Sequence, residues 1–203
     1  MVVKTGYQIT KLGAIARIMS GFPDKNLDRQ RQIVNGIKYS FVQPNHLGDY
    51  NNIKQCTTII SSRVISEGYF LRPQDILVKR LNPDSPTLIS QEFKNTIFSS
   101  NLFLIRVADQ YAPTYIAAIL EHYNQMWQNS NTIGKVTVPN TISQKALAGI
   151  EVVKLPWAEQ NKIGAIWIMM KHRKKLLHDL LDEDAKLLLA ILSNLNTKKK
   201  EKQ

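Results

Sequence analysis

Leu155-Pro156-Trp157-Ala158-Glu159-Gln160 opens the stretch that decides the fold, because helical periodicity continues from it to about Leu195. Ala158 to Leu195 spans 38 residues, about 57 Å at ~1.5 Å per residue. Ile163, Met170, Leu177 and Ile191 share one heptad position. Ile166 with Trp167, Leu180 with Leu181, and Leu187 with Leu188 mark the companion stripe. Asp184 interrupts the first stripe and Arg173-Lys174 the second; such polar intrusions set register or leave a wet gap in a coiled coil. A helix this long cannot bury both ends on one small domain, so the pattern predicts pairing with another long helix. The alternatives are a hairpin broken near Asp182-Glu183-Asp184, or a Leu-rich C-terminal half folded back on the domain.

Working outward, 203 residues allow one good core and leave little room for a second full domain. At 43% hydrophobic the chain is an ordinary folded protein. Its single cysteine, Cys56, excludes a disulfide framework and a cysteine-based zinc site and suits a reducing compartment. No apolar run fits a signal peptide or a membrane span, so the cytoplasm is the expected location. The formal charge of +11 points to a polyanionic partner, with duplex nucleic acid the first candidate. Part of that excess sits in Lys198-Lys199-Lys200-Glu201-Lys202, and the body without it is still basic.

The 150 or so residues ahead of the helix read as a mixed domain. Leu12, Ile15, Ala16 and Met19 recur at helical spacing, which predicts a helix over 10–19 ending at Ser20-Gly21. Residues 24–38 read as a polar surface loop. Tyr39–Gln43, Cys56–Ile60, Ile76–Val78, Thr87–Ile89, Ile97–Phe98 and Leu102–Val107 read as short strands, the last apolar enough to be central. Pro113 starts a helix with Tyr115, Ile116, Ile119, Leu120 and Tyr123 on one face, ending at Asn129-Ser130-Asn131. Val136–Val138 reads as an edge strand. Short strands between turns predict an antiparallel or mixed sheet, and hence an α+β domain of twisted sheet followed by a long coiled-coil helix. The expected boundaries are 1–154 for a recognition domain, 155–197 for the helix and 198–203 for a basic tail.

No catalytic constellation emerges. His46, His122, His172 and His178 are scattered, and the six-residue spacing of the last two is not a helical metal pair. Asp182-Glu183-Asp184 diverge on a helix and read as a solvated acidic patch. No phosphate-cradling glycine loop or adenine-methylation motif is present. The sequence predicts no cofactor, no metal and no enzymatic activity of its own.

Four fragments carry a resemblance to a known family. They are Ile150 to Ile163 with its Leu155-Pro156 and Glu159-Gln160, Lys11-Leu12-Gly13 to Ser20-Gly21-Phe22, Gln74-Asp75-Ile76-Leu77-Val78, and Ala112-Pro113-Thr114-Tyr115-Ile116. In this order and spacing the chain resembles one half of a DNA-specificity subunit of type I restriction-modification enzymes. The resemblance implies a target-recognition domain with a spacer helix. In that family two such halves pack their helices antiparallel, methyltransferase subunits attach and supply S-adenosylmethionine chemistry, and a motor-nuclease subunit cuts. A half-subunit then either homodimerises to read a two-part site or is a truncated or spare copy. The chain departs from the family pattern at Gln74, where glycine is usual, at Leu81-Asn82-Pro83, where a glycine-bearing loop is common, and at Trp157, often proline.

Arginine pairs with guanine edges and lysine more often with phosphate. The candidate DNA contacts are therefore Arg80 and Arg31, then Lys79 and Arg63, with Arg29 and Lys25 in the same basic loop as Arg31. Lys171, Arg173, Lys174 and Lys175 form a charge cluster expected to face DNA or a partner. Trp157, Gln160, Ile163, Trp167, Met170, Leu177, Leu181, Leu188 and Ile191 are the candidate partner interface, with Glu159 near the junction. The competing expectation is a non-catalytic scaffold dimerising through its helix, with DNA binding lost or non-specific.

Overall fold

The apolar run Leu102–Val107 lies at the centre of the molecule, with strands on both sides and a core on each face. A computed structural model describes residues 6–23, 36–130 and 141–200. In chain order the elements are β1 (Ile9–Lys11), α1 (Leu12–Ile15), β2 (Ala16–Ser20), β3 (Ile37–Val42), β4 (Thr57–Ser61), β5 (Ile76–Lys79), β6 (Thr87–Leu88), β7 (Thr96–Phe98), β8 (Leu102–Val107), α2 (Pro113–Ser130), α3 (Gln144–Ala148), β9 (Glu151–Val153) and α4 (Trp157–Lys200). The fold is α+β, a mixed-sheet domain followed by one long helix.

Strand alternation makes the layers. In the antiparallel sheet β2-β8-β5-β6, Ile76, Val78, Phe103 and Ile105 face a core shared with α2, α3 and Trp167 of α4. Leu77, Leu102 and Leu104 face the opposite way, onto Val42 and Phe98 of a second sheet, β4-β3-β7. In that sheet β3 runs antiparallel to β4 and parallel to β7. Its outer face buries Tyr39, Phe41 and Ile97 with Ile65, so Tyr39 and Phe41 are core residues. A side chain moved by one strand position would change layers, which fixes the register of all three strands.

The predicted helix over 10–19 is corrected to a single turn, α1, between two strands. Leu12 and Ile15 are buried at helical spacing, but Ala16 and Ile18 then pack on the helix-side core while Met19 packs on the other. The available edge of β8 pairs all five residues of β2, from Ala16 opposite Val107 to Ser20 opposite Phe103. That ladder overrides a local helical pattern only one turn longer than the helix that forms. Gly21 follows because a side chain there would collide with the carbonyl groups of Phe98 and Ser99. The predicted Val136–Val138 strand lies outside the described residues. The long helix continues without a break through Asp182-Glu183-Asp184, so neither the hairpin nor the folded-back alternative forms.

The two loop departures from the family pattern have a common backbone explanation. Gln74 sits at φ 71° and Asn82 at φ 47°, both in the left-handed region that glycine enters freely. Around Gln74, Arg72-Pro73-Gln74-Asp75 makes a type II arrangement, with proline second, the positive φ third and Asp75 N donating to Arg72 O at 3.2 Å. Gln74→Gly is expected to raise stability by roughly 0.5–1 kcal/mol, the left-handed penalty less the extra freedom of an unfolded glycine. A urea titration measures this; a destabilised variant would mean that the Gln74 side chain contributes more than its backbone costs.

Candidate nucleic-acid interface and helix surface

The basic candidates divide between two ends of the domain. Lys79 and Arg80 leave β5 beside the Ser99–Asn101 turn, where Arg80 N donates to Asn101 O at 3.0 Å and Ser100 N donates to Phe22 O at 2.9 Å. The exposed Arg80 guanidinium lies 5.6 Å from the Phe103 ring centroid, a contact that holds the stem while its donors face solvent. Lys79 is partly satisfied within the chain, because its Nζ lies 2.5 Å from Asp84 Oδ2. Arg63 is exposed in a turn tied by Ser61 Oγ donating to Arg63 O at 2.8 Å. Ser61 pairs with Ile37 at the start of β3, whereas Val42 at its end holds Ser99. These two ends of β3 are about 17 Å apart at ~3.4 Å per residue, so Arg63 and Arg80 lie beside different ends rather than in one tight patch. Lys25, Arg29 and Arg31 lie outside the described residues.

The long helix is seated by one polar-lined stripe. Among the described residues, Gln160, Gly164, Trp167 and Lys171 are the buried ones of α4, spaced to face α2 together. Gln160 Oε1 accepts from Ala112 N at 2.8 Å while its amide donates to Leu155 O at 2.9 Å. Gly164 lets the helices close, since a Cβ there would strike the Thr114 side chain. Trp167 Nε1 donates to Glu121 Oε2. Lys171 Nζ donates to Glu121 Oε1 at 2.7 Å, to Ser85 Oγ at 2.5 Å and to Asp49 O at 3.4 Å. Two turns further along the helix, the His178 ring lies 5.7 Å from the Tyr50 ring of the domain.

Three expectations are corrected by this geometry. Lys171 is not part of a free basic cluster: its ammonium is buried and bound at three points. Gln160 and Trp167 are turned to the chain's own α2, because the stripe they share is rotated by one residue, about 100°, from the heptad seam. The remaining candidates, Trp157, Ile163, Met170, Leu177, Leu181, Leu188 and Ile191, are exposed. Nothing in the bare residue types distinguishes Lys171 from its neighbours. The available signal is its spacing from Gln160, Gly164 and Trp167.

Between α2 and the proximal part of α4 runs a groove, lined on the helix side by Ile163, Ile166, Met170, Arg173 and Leu177 and across it by Ala118, His122 and Gln125. Its α4 side carries the first half of the heptad seam, with Trp167, Lys171 and Lys174 beside it. The second half, Leu180, Leu181, Leu187, Leu188 and Ile191, is exposed on a helix that has left the domain. An apolar strip of this length is a surface for association rather than for solvent.

Among the described residues no group of three His, Cys, Asp or Glu is placed to hold a metal ion. His46 is structural: its Nδ1 accepts from Gln43 N at 3.1 Å, which leaves the proton on Nε2, 3.4 Å from Thr57 Oγ1. No described helix is long and apolar enough to cross a membrane.

No family model matches the sequence, and no curated protein matches it. Solved structures do match the fold. The chain is similar to the HsdS subunit from Thermoanaerobacter tengcongensis, at 18% identity and TM-score 0.58, over 89% of this chain and 41% of that one. It is similar to a chain from a structure described as the structural basis underlying complex assembly and conformational transition of the type I R-M system, at 18% identity and TM-score 0.59, over 91% and 43%. It is similar to the type-I restriction-modification system S subunit from M. genitalium, at 11% identity and TM-score 0.53, over 92% and 44%. It spans about two fifths of the length of each of these chains. Domain and long helix together therefore have the fold of a corresponding part of type I restriction-modification specificity subunits.

Proposed function

We propose that the chain is a non-catalytic DNA-specificity subunit of a type I restriction-modification complex, in which two copies read a bipartite duplex site and position methyltransferase subunits. The observation that carries this reading is the joining of a basic domain of that fold to a helix whose seam its own chain leaves uncovered. On this reading residues 1–154 recognise DNA, 155–197 set the distance between two such domains, and 198–203 add a basic tail. Arg80 and Arg63, at opposite ends of β3, bracket the recognition surface, with Arg31, Arg29 and Lys25 as further proposed DNA contacts. Lys79, already paired to Asp84, is the weaker contact. The exposed Trp157 and neighbouring Glu159 are the proposed methyltransferase-docking residues, and a motor-nuclease subunit joins through that partner.

Selection from a random duplex library, at near-physiological salt and with the chain alone or with its methyltransferase, tests the reading. The expected result is an enriched motif of two inverted halves. Binding should fall with added salt as phosphate contacts are lost, while the preference for the motif survives. A folded, associated protein that enriches no sequence would replace this reading with a scaffold.

A further inference from the structure

The resemblance to specificity subunits implies antiparallel pairing of α4 with the α4 of a second copy; we infer that its register is fixed by Arg173 of each helix meeting Asp184 of the other. The inference rests on the two-copy reading above and supplies its contact surface. Three observations converge on it. The seam positions Ile163, Ile166, Met170, Leu177, Leu180, Leu187 and Ile191 are all exposed on a continuous helix. The seam is interrupted by one cation and one anion, Arg173 and Asp184, both exposed and neither in an ion pair among the described residues. The groove beside α2 is lined by the proximal half of that seam and opens to solvent there.

Heptad arithmetic then selects the register. In an antiparallel pair each first-stripe residue faces a companion-stripe residue of the other helix. With the two-fold axis between His178 and Asp179, Ile166 faces the partner's Ile191, Met170 the partner's Leu187, and Leu177 the partner's Leu180. Arg173 faces the partner's Asp184 in the same ladder, twice by symmetry. The adjoining charges agree, since the basic run 172–175 lies along the acidic run 182–184 of the partner. Sliding by one heptad would set Arg173 and Asp184 against leucine or isoleucine, burying four charges without counter-ions. A parallel pair would set Arg173 on Arg173 and Asp184 on Asp184. Opposite charges at single seam positions thus specify both direction and register. The groove gains an occupant: the partner's Leu187 and Ile191, walled by Ala118, His122 and Gln125.

Charge exchange in the full chain tests this by sedimentation equilibrium, with circular dichroism to check the fold of each variant. Arg173→Glu alone and Asp184→Arg alone each create two like-charge contacts, and each should raise the dimer Kd on the order of 30-fold. An equimolar mixture of the two single variants should recover the wild-type Kd as a heterodimer, because both contacts become opposite-charge again. The double variant Arg173→Glu/Asp184→Arg should recover it as a homodimer. A wild-type chain that stays monomeric overturns the inference, as do single variants that dimerise normally. Weakened single variants that do not recover on mixing overturn the antiparallel register. The DNA reading fails separately: a dimer that enriches no motif defeats that reading alone, and an enriched motif from a chain without this pairing defeats the register alone.

Discussion

Replacing Glu121 with alanine is expected to lower the unfolding free energy by about 3–5 kcal/mol, because it strands a buried ammonium. Glu121 accepts from both Trp167 and Lys171, and the Lys171 side chain is only 6% exposed. Without the carboxylate, Lys171 keeps Ser85 Oγ and the Asp49 carbonyl as acceptors but has no counter-charge, and the Trp167 N–H loses its partner. Glu121→Gln retains an acceptor but no charge, and should fall between alanine and wild type. Chemical denaturation of the three proteins measures the series. A loss under about 1 kcal/mol would mean that the Lys171 stem swings its ammonium into water at little cost. The network is also the strongest polar tie between α4 and the domain beyond the junction, so its loss should loosen the angle between them. If two copies read a two-part site, Glu121→Ala should broaden the tolerated spacing between half-sites more than it alters the bases preferred.

What is legible in the sequence depends on the length scale of each signal. The long helix, the helix from Pro113 and the central strand Leu102–Val107 are readable because each repeats one periodicity over several turns or forms a nearly all-apolar run. The segment 10–19 reads as helix because its spacing suits one helical turn, while the deciding factor, the free edge of β8, lies 83 to 91 residues further along the chain, from Ser20 opposite Phe103 to Ala16 opposite Val107. The site is readable in part for the same reason. A heptad seam is a local pattern, so Ile163, Met170, Leu177 and Ile191 can be picked out from their spacing alone. The burial of Lys171 depends on Asp49, Ser85 and Glu121, three positions with no sequence relation to it. The separation of Arg63 from Arg80 is likewise a matter of topology, since it depends on which end of β3 each residue reaches.

The seating stripe and the seam also divide labour on one helix. Positions 160, 164, 167 and 171 use hydrogen bonds, a missing side chain and one ion pair, all of which demand fixed geometry. Apart from Arg173 and Asp184, the seam positions use leucine, isoleucine and methionine, which tolerate small adjustments and gain from area alone. Fixed geometry toward the domain and apolar area toward a second helix would hold two domains at a set distance while letting the copies assemble and separate.

Arg106→Met is expected to cost about 3–5 kcal/mol, again by stranding a buried charge, but here the double variant makes the sharper test. Asp75 is 1% exposed and receives Arg106 Nε and Nη2, both at 2.7 Å, together with Arg72 N at 2.8 Å. Hydrogen bonding to Asp75 pushes the Arg106 guanidinium above its ordinary value, against a smaller opposing effect of burial. A raised value keeps the charge, and its share of stability, at every pH below the unfolded value, so this contribution is lost only in strong alkali. With methionine at 106 the Asp75 carboxylate retains a single backbone donor. The consequence reaches beyond one contact, because Asp75 closes the Arg72–Asp75 turn and its carbonyl accepts from Ile89 N at 2.8 Å, which joins β5 to the strand beside it. Asp75→Asn/Arg106→Met removes both charges while keeping an amide that can accept from Arg72 N. It should therefore be more stable than Arg106→Met alone, despite carrying one more substitution. If the double variant is instead as unstable as the sum of the single ones, the pair acts through packing of the arginine stem rather than through charge, and the turn is held by its backbone bonds.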